Sequence, residues 1–520
     1  MKKTILLASL VASITTLAAT EGHVNYTFKG EINSKYANQQ TANEFKVPET
    51  FVETEVKVKG SGLSFGGEFK AKDIKLGEDN KAHFLNHSKV FAKYELPEIK
   101  GVKSFVKATA EPKFIGDDKG SAELEGQVSY KYGEFTFGLN SKTNFPFAKK
   151  AATYGEDVKS THKVFVESEK DKDVFVKGLK DVKANVEIKH DYRKLAENHK
   201  AAEAVNYVKG EVSAKYDAIK DFAVEGKAGF KVNVSEFTNK KHPDFIKKDE
   251  GDNKHDVVLG GVKLNHYLDK FDSDWIREVT GLHREYANVK LTYTGVKGLT
   301  LSANPFVDFT EGYRKYDDSQ KLVAGGYLLA YGTSLDAKYA LLNNKLTLTG
   351  NSLLAGIKSV KKDSTTNPVT NSDYTIGVYT AKLGAKYDYA VDSKLTVSPE
   401  LTVSSAILTN SGLNTLNGFV TLKPEVNAVY KATDKLELKG GVSLSANFDN
   451  IKKYNNKVES TKSLELKPSA SLVYKPVEGL EVNNKVELPI NFKEKSTADK
   501  SLEYKGLDVK TELNIKYSWK

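Results

Sequence analysis

The chain has 520 residues, including 38 Gly, 12 Pro, one Met and no Cys, and 78 basic residues stand against 68 acidic ones. Without cysteine there is no disulfide framework, thiol nucleophile, Cys-ligated zinc or lipidated cysteine. With 10% aromatic and 28% charged residues, the composition argues against intrinsic disorder, which is poor in aromatics, and allows both a folded core and a watery face.

Residues 1–19 differ from all that follow. Lys2 and Lys3 precede an apolar run from Ile5 to Leu17, and Ala18 and Ala19 close it with small residues. A charged start, a short apolar core and a small-residue end together read as a secretory signal peptide rather than a buried helix. Its removal takes two lysines and lowers the net charge from +10 to +8. No later segment reaches the roughly 18 to 20 uninterrupted apolar residues of a membrane-spanning helix. The exported chain, 20–520, is therefore either secreted or membrane-embedded as strands.

From Val24 onward the sequence alternates apolar and polar residues, the period that sends successive side chains to opposite faces of a sheet. Val52, Thr54, Val56 and Val58 alternate with Glu53, Glu55, Lys57 and Lys59. Leu124, Gly126, Val128 and Tyr130 alternate with Glu125, Gln127, Ser129 and Lys131. The same pattern covers Leu436 to Phe448 and Leu480 to Phe492. Such runs exceed the five or six residues usual for soluble strands and match the roughly 9 to 11 that a tilted strand needs to cross a bilayer.

A hairpin unit recurs: an aromatic, a short polar turn, then an apolar residue. It appears at Tyr293–Leu299, Tyr339–Leu346, Tyr389–Leu395, Tyr430–Leu436 and Tyr474–Leu480, with weaker copies at Tyr132–Phe135 and Tyr216–Phe222. Long stretches rich in Lys, Asp, Asn, Ser and Thr separate the units, the longest at 144–161, 235–286 and 355–373. A first strand at 23–32, ten short-turn hairpins and a last strand at 507–519 predict about 22 strands, within a range of 18 to 24. The even number leaves both termini at the short-turn end. Hydrocarbon offers no partner to a free N–H or C=O, so spanning strands require a closed sheet. The predicted fold is all-β, a single transmembrane antiparallel β-barrel. Pro305, Pro399, Pro424, Pro468 and Pro489 fall in or near the predicted strands and mark strand starts or bulges there.

If the apolar faces meet lipid, the polar faces line a lumen. Its predicted wall includes Glu53, Lys57, Glu125, Lys183, Glu187, Lys510, Glu512 and Lys516, both signs interleaved. The lysine excess then gives at most a mild preference for anions. The segment 267–286 departs from the strand pattern: Trp275, Ile276, Val279, Leu282 and His283 fit a short helical face, with Asp272 or Asp274 as its cap. One reading folds this loop into the lumen, with Arg277 and Arg284 at a constriction. The other leaves it as an extracellular loop with a turn of helix.

Chemistry is sparse. There is no HExxH, GxSxG or GxxxxGK[ST] motif. His83 and His87 lie in a loop-like stretch, where a four-residue spacing implies no metal site. No catalytic residue, metal or cofactor is expected, and basic charge spread thinly along strands of an exported chain does not suggest nucleic-acid binding.

These features resemble bacterial outer-membrane β-barrel proteins of the porin type. The signal peptide, the long alternating strands and the alternation of short and long connections all belong to that pattern. So does the last strand, with Leu513, Ile515, Tyr517 and Trp519 just before Lys520. The resemblance implies an outer-membrane location and a final strand read by the barrel insertion machinery. It further implies contact with outer-membrane lipid, a monomer or homotrimer, and diffusion of small hydrophilic solutes and ions. A surface-exposed adhesin or structural barrel acting through its loops is the alternative.

Overall fold

The computed structural model describes residues 20–37, 40–75, 88–111, 120–146, 158–191, 205–234, 258–259, 262–263, 283–316, 322–363, 370–410, 415–454, 457–496 and 499–520. The signal segment 1–19, His83, His87, Arg277 and the helical face around Trp275 lie outside them.

The low-numbered half of the wall comprises β1 (Thr20–Ala37), β2 (Gln40–Val58), β3 (Leu63–Lys75), β4 (Lys89–Ile99), β5 (Val102–Glu111), β6 (Ser121–Tyr132), β7 (Phe135–Pro146), β8 (Lys159–Ser168), β9 (Leu179–Asp191), β10 (Val205–Tyr216) and β11 (Phe222–Val232). The rest comprises β12 (His283–Tyr293), β13 (Leu299–Tyr316), β14 (Leu322–Leu341), β15 (Leu346–Asp363), β16 (Thr370–Tyr387, continued by Tyr389–Ala390), β17 (Leu395–Asn410), β18 (Thr415–Thr433), β19 (Leu436–Tyr454), β20 (Lys457–Tyr474), β21 (Leu480–Glu487, continued by Ile490–Glu494) and β22 (Leu502–Trp519). Each strand pairs antiparallel with its neighbours in sequence, and β22 returns to β1 with Trp519 facing Gly22 and Asp508 facing Asn33. Counting the two interrupted strands once each, the sheet is a closed barrel of 22 strands.

The period-two pattern explains which face goes where. Leu124, Val128, Leu139, Val164, Val186 and Val212 are exposed on the outer face, the face that a spanning barrel turns to lipid. Aromatics gather at the short-turn end: Tyr130 stacks on Tyr132 at 6.5 Å, Phe222 meets Tyr293 at 4.8 Å, and Tyr517 stacks on Trp519 at 5.9 Å. At the seam, the Trp519 indole lies over Gly22, where a Cβ would come within 2.7 Å of the ring, and its Nε1 donates to Thr20 Oγ1 at 3.3 Å.

All seven aromatic-turn-apolar units form short connections between consecutive strands. The residue ahead of the second strand turns its carbonyl toward the next hairpin and extends the ladder. Gly298 O accepts from Ala340 N, and Gly479 O from Ser518 N, both at 2.8 Å. Gly298 and Gly479 do this at φ of 80° and 79°, the left-handed region that glycine enters without strain.

The prolines interrupt the ladder without ending the strands. Opposite Pro305 the β12–β13 register skips from Asn288 to Leu291. Around Pro399 it passes from Lys386 to Tyr389, and Asp388 instead accepts from Ser398 Oγ at 2.6 Å. Pro468 and Pro489 share the gap that divides β21. Pro48 sits at a bulge in β2 that the sequence pattern did not announce.

Two boundaries differ from the sequence reading. Residues 283–286 belong to β12 rather than to the loop at 235–286, because Arg284 and Tyr286 point inward, to Asp308 on β13 and to Glu211 on β10, while Glu285 points out. Most of 355–373 is wall, in β15 and β16. Both were hidden by segments polar or apolar on both faces. Among the described residues, the connection after β11 contains one small hairpin, Val258–Leu259 with Val262–Lys263, beside β13.

Candidate functional site

The inner face of the barrel carries the candidate site, and the strand register places all eight predicted lining residues on it. Glu53 accepts from Asn25 Nδ2 at 3.4 Å, and Glu125 from Asn140 Nδ2 at 3.0 Å. Lys510 reaches Glu31 at 3.3 Å across the seam, and Glu512 faces Lys29 and Lys485. Lys516 faces Asn25 and Glu481, and Lys183 faces Glu167 and Ser213. Glu187 accepts from the Tyr207 hydroxyl at 2.7 Å. Lys57 follows Glu53 and Glu55 on the same face of β2. The wall is a lattice of short-range pairs, which holds charged side chains in water without a strong net field.

Aromatic rings add a second motif that sequence reading missed. Lys70 lies over Phe51 at 5.3 Å, Lys93 over Phe105 at 4.5 Å and Lys107 over Phe91 at 4.7 Å. Lys189 and Lys231 flank Tyr207 at 5.8 and 4.9 Å. Phe51, Phe91 and Phe105 occupy polar-face positions of alternating strands, so they break the alternation and were legible as exceptions to it. A cation over a ring keeps its charge exposed while covering apolar surface.

Arg284 is in the wall rather than in a loop. Its Nη2 donates to Asp308 Oδ2 at 2.6 Å and its Nε to Oδ1 at 3.1 Å, with Asp308 almost wholly buried. The guanidinium also lies 5.3 Å from the ring of Tyr286, whose hydroxyl donates to Glu211 at 2.6 Å, and Glu211 pairs with Lys227 at 2.8 Å. One continuous polar network thus ties β10, β11, β12 and β13.

From β13 to β18 the inner face changes character. Phe306, Ala330, Leu353, Ala355, Ile357, Val378, Ala406, Leu408 and Phe419 form one buried apolar cluster, with Leu328 and Ile376 packed against it. The register aligns them across the strands: Ala330 faces Ile357, Ala355 faces Val378, and Ala406 faces Phe419. The signal lay in unbroken runs such as Tyr327–Tyr331 and Leu353–Ile357, which are apolar on both faces.

A closed antiparallel sheet, greasy outside and wet over most of its inside, satisfies every constraint of a spanning barrel. The architecture is that of a bacterial outer-membrane β-barrel. No family model and no curated protein sequence matches the chain. Among solved structures it is similar to the outer membrane channel DcaP of Acinetobacter baumannii, at 10% identity and a TM-score of 0.29, over 97% of this chain and 99% of that one. It is similar to the ferric enterobactin receptor of Pseudomonas aeruginosa at 9% identity and a TM-score of 0.48, covering 96% of this chain and 81% of that one. It is also similar to OmpT, an outer membrane protein of Vibrio cholerae, at 10% identity and a TM-score of 0.28, over 78% and 99%. With TM-scores below 0.5, these likenesses carry no functional argument.

Proposed function

We propose that the protein is a passive, water-filled channel through which small hydrophilic solutes and ions diffuse across the outer membrane, with at most a mild preference for anions. The supporting observation is the inner face of β1 to β12 and β18 to β22. There Lys, Glu, Asn, Ser and Thr pair at hydrogen-bonding distance and hold a hydrated surface. In this reading no covalent step occurs, and no metal or cofactor takes part. Signal-dependent export, engagement of the insertion machinery through Leu513, Ile515, Tyr517 and Trp519, and assembly as a monomer or homotrimer belong to the same proposal.

The test is single-channel conductance of detergent-refolded protein in a planar bilayer under a salt gradient. Large stable steps with weak anion preference are expected. Folded protein that inserts and stays silent would transfer the function to the outer ends of the long strands and the connections between them. One observation favours that second reading, a surface-exposed adhesin or structural barrel: β13 to β20 run to 16–20 residues, beyond what crossing the bilayer requires.

A further inference from the structure

From the short-turn end upward, the outer face of β7 reads Phe135, Phe137, Leu139, Ser141, Thr143 and Phe145. Phe137 and Phe145 are 48% and 41% exposed, aromatic anchors of the kind that mark the two edges of an apolar band. Ser141 and Thr143 therefore lie between the belts, at a depth where this face meets hydrocarbon. Their neighbours on the same face are polar too: Ser141 faces His162, Thr143 faces Ser160, and Ser160 faces His190. One step lower, the same three strands set Leu139, Val164 and Val186 side by side.

Ser141 Oγ and His162 Nδ1 are 2.9 Å apart, Thr143 Oγ1 and Ser160 Oγ 2.8 Å, and the rings of His162 and His190 meet edge-on at 5.6 Å. These contacts use part of what the groups offer, since a hydroxyl donates once and accepts twice and an imidazole has two ring nitrogens. Acyl chains can meet none of the rest. Polar side chains inside the apolar band are costly, so they mark where protein rather than lipid lies outside. Beside the patch the surface is low: Gly126 faces Ser141, and a Cβ there would meet nothing closer than the Phe105 carbonyl at 3.9 Å. Close packing over small residues, together with hydrogen bonds, is what holds protein to protein where lipid is as apolar as leucine.

We propose that the patch on β7 to β9 is covered by a second copy of this chain, so that barrels associate side by side in the membrane. Hydroxyl and imidazole each donate and accept, which makes the patch complementary to itself, as contact between identical chains requires. The area is sufficient. Six strands, β5 to β10, at about 4.8 Å each over an apolar band of about 25 Å offer about 700 Å² per copy, near the ~800 Å² of a stable interface. A lipid headgroup carries its polar atoms at the edges of the band, level with the aromatic belts, and leaves Ser141 and His162 unmatched. Of the two assemblies in the proposed function, the patch selects the homo-oligomer, and it rests on the spanning barrel rather than on conduction.

The experiment is sedimentation equilibrium of the detergent-refolded full chain over a range of protein-to-detergent ratios. A particle of more than one chain is expected. The variant Thr143→Val/His162→Leu/His190→Leu should weaken association at least tenfold while leaving the conductance of each barrel unchanged. Leu422→Ala/Val426→Ala/Val442→Ala, on the outer face of β18 and β19 across the barrel, should change it less than twofold. The chain has no cysteine, so Ser141→Cys and Val442→Cys give a second reading that tolerates a triple variant unable to fold. With a flexible bismaleimide in a bilayer, a two-chain band should form from Ser141→Cys and not from Val442→Cys. A single-chain particle at every ratio, equal loss in the two triple variants, or equal cross-linking at the two positions would overturn the contact. A single-chain particle whose co-purified lipid is lost in the first triple variant would assign the patch to a lipid headgroup instead. Protein that associates as expected and passes no current would retain the contact and remove the channel.

Discussion

The barrel has two unlike walls. Strands β4 to β12 are 10–13 residues long, and β13 to β20 are 16–20. At about 3.3 Å per residue and a tilt of about 40°, an 11-residue strand rises about 28 Å and an 18-residue strand about 45 Å. The low wall therefore matches an apolar band of about 25 Å, and the tall wall continues well past it. Their interiors differ as well: the low wall is lined by lysine, glutamate and aromatic rings, whereas much of the tall wall is lined by a packed apolar cluster. A short strand in a membrane is stabilised mainly by its ladder and by lipid. A strand that extends into water must find packing partners on its inner face.

The sharpest break of this arrangement is at the join, where Arg284 of the last low strand holds Asp308 of the first tall one. Removing one partner of a buried pair leaves the other desolvated, so Arg284→Ala is expected to destabilise the barrel by about 3–5 kcal/mol, read as a shifted urea midpoint in detergent. Asp308→Asn in the same background should recover part of the loss. An unchanged midpoint would mean that the join does not depend on this pair. Within the tall wall, Leu353 is fully buried, and Leu353→Ala should cost about 2–5 kcal/mol. On the low wall, Lys142 pairs with Glu123 at 2.8 Å but remains half exposed, so solvent screening should keep Lys142→Ala within about 1 kcal/mol. Comparable costs at the two positions would erase the distinction between a packed and a solvated wall.

The turns allow a finer comparison. Gly133 between β6 and β7 has φ of 58° and open space around it, while a Cβ at Gly298 between β12 and β13 would run into the Ala340 carbonyl. Gly133→Ala should cost about 1 kcal/mol, for the left-handed backbone alone, and Gly298→Ala clearly more. Equal midpoints for the two variants would show that the carbonyl relay across the turns is not needed.

The low wall was the more legible in sequence, because a strand with one face in lipid and one in water must alternate. Glu125 and Glu187 could be placed on the polar face from that alone. The strand number followed from the Tyr-turn-Leu units, since a short turn closes a hairpin whatever lies beyond it. The inner face of the tall wall was not legible, because Leu328, Ala330 and Ile357 occupy positions where the alternation demands polar residues, and only a packed interior explains them. Arg284 was assigned to a loop because His283–Tyr286 carries polar groups on both faces. Its partner Asp308 lies 24 residues away, and only the register brings the two together.

The smallest expected effect concerns pH, at the turn that joins β16 to β17. Asp392 accepts from the backbone N–H of Lys394 and of Leu395, each at 2.7 Å. Those two bonds hold its carboxyl below the ordinary aspartate range. A carboxyl whose folded pKa is depressed adds stability that is fully present above its unfolded pKa, about 3.9, and is lost as pH falls through the folded value. The Lys394 and Leu395 amides should therefore lose hydrogen-exchange protection below about pH 4, relative to the turn at Leu342–Asn344, which has no carboxylate to titrate. Asp392→Asn should flatten this pH dependence while leaving the barrel's urea midpoint at neutral pH nearly unchanged. The group is fully open to water, so the effect should stay confined to the turn. A shift of the whole unfolding transition with the same pH profile would mean instead that the short turns govern the stability of the entire wall.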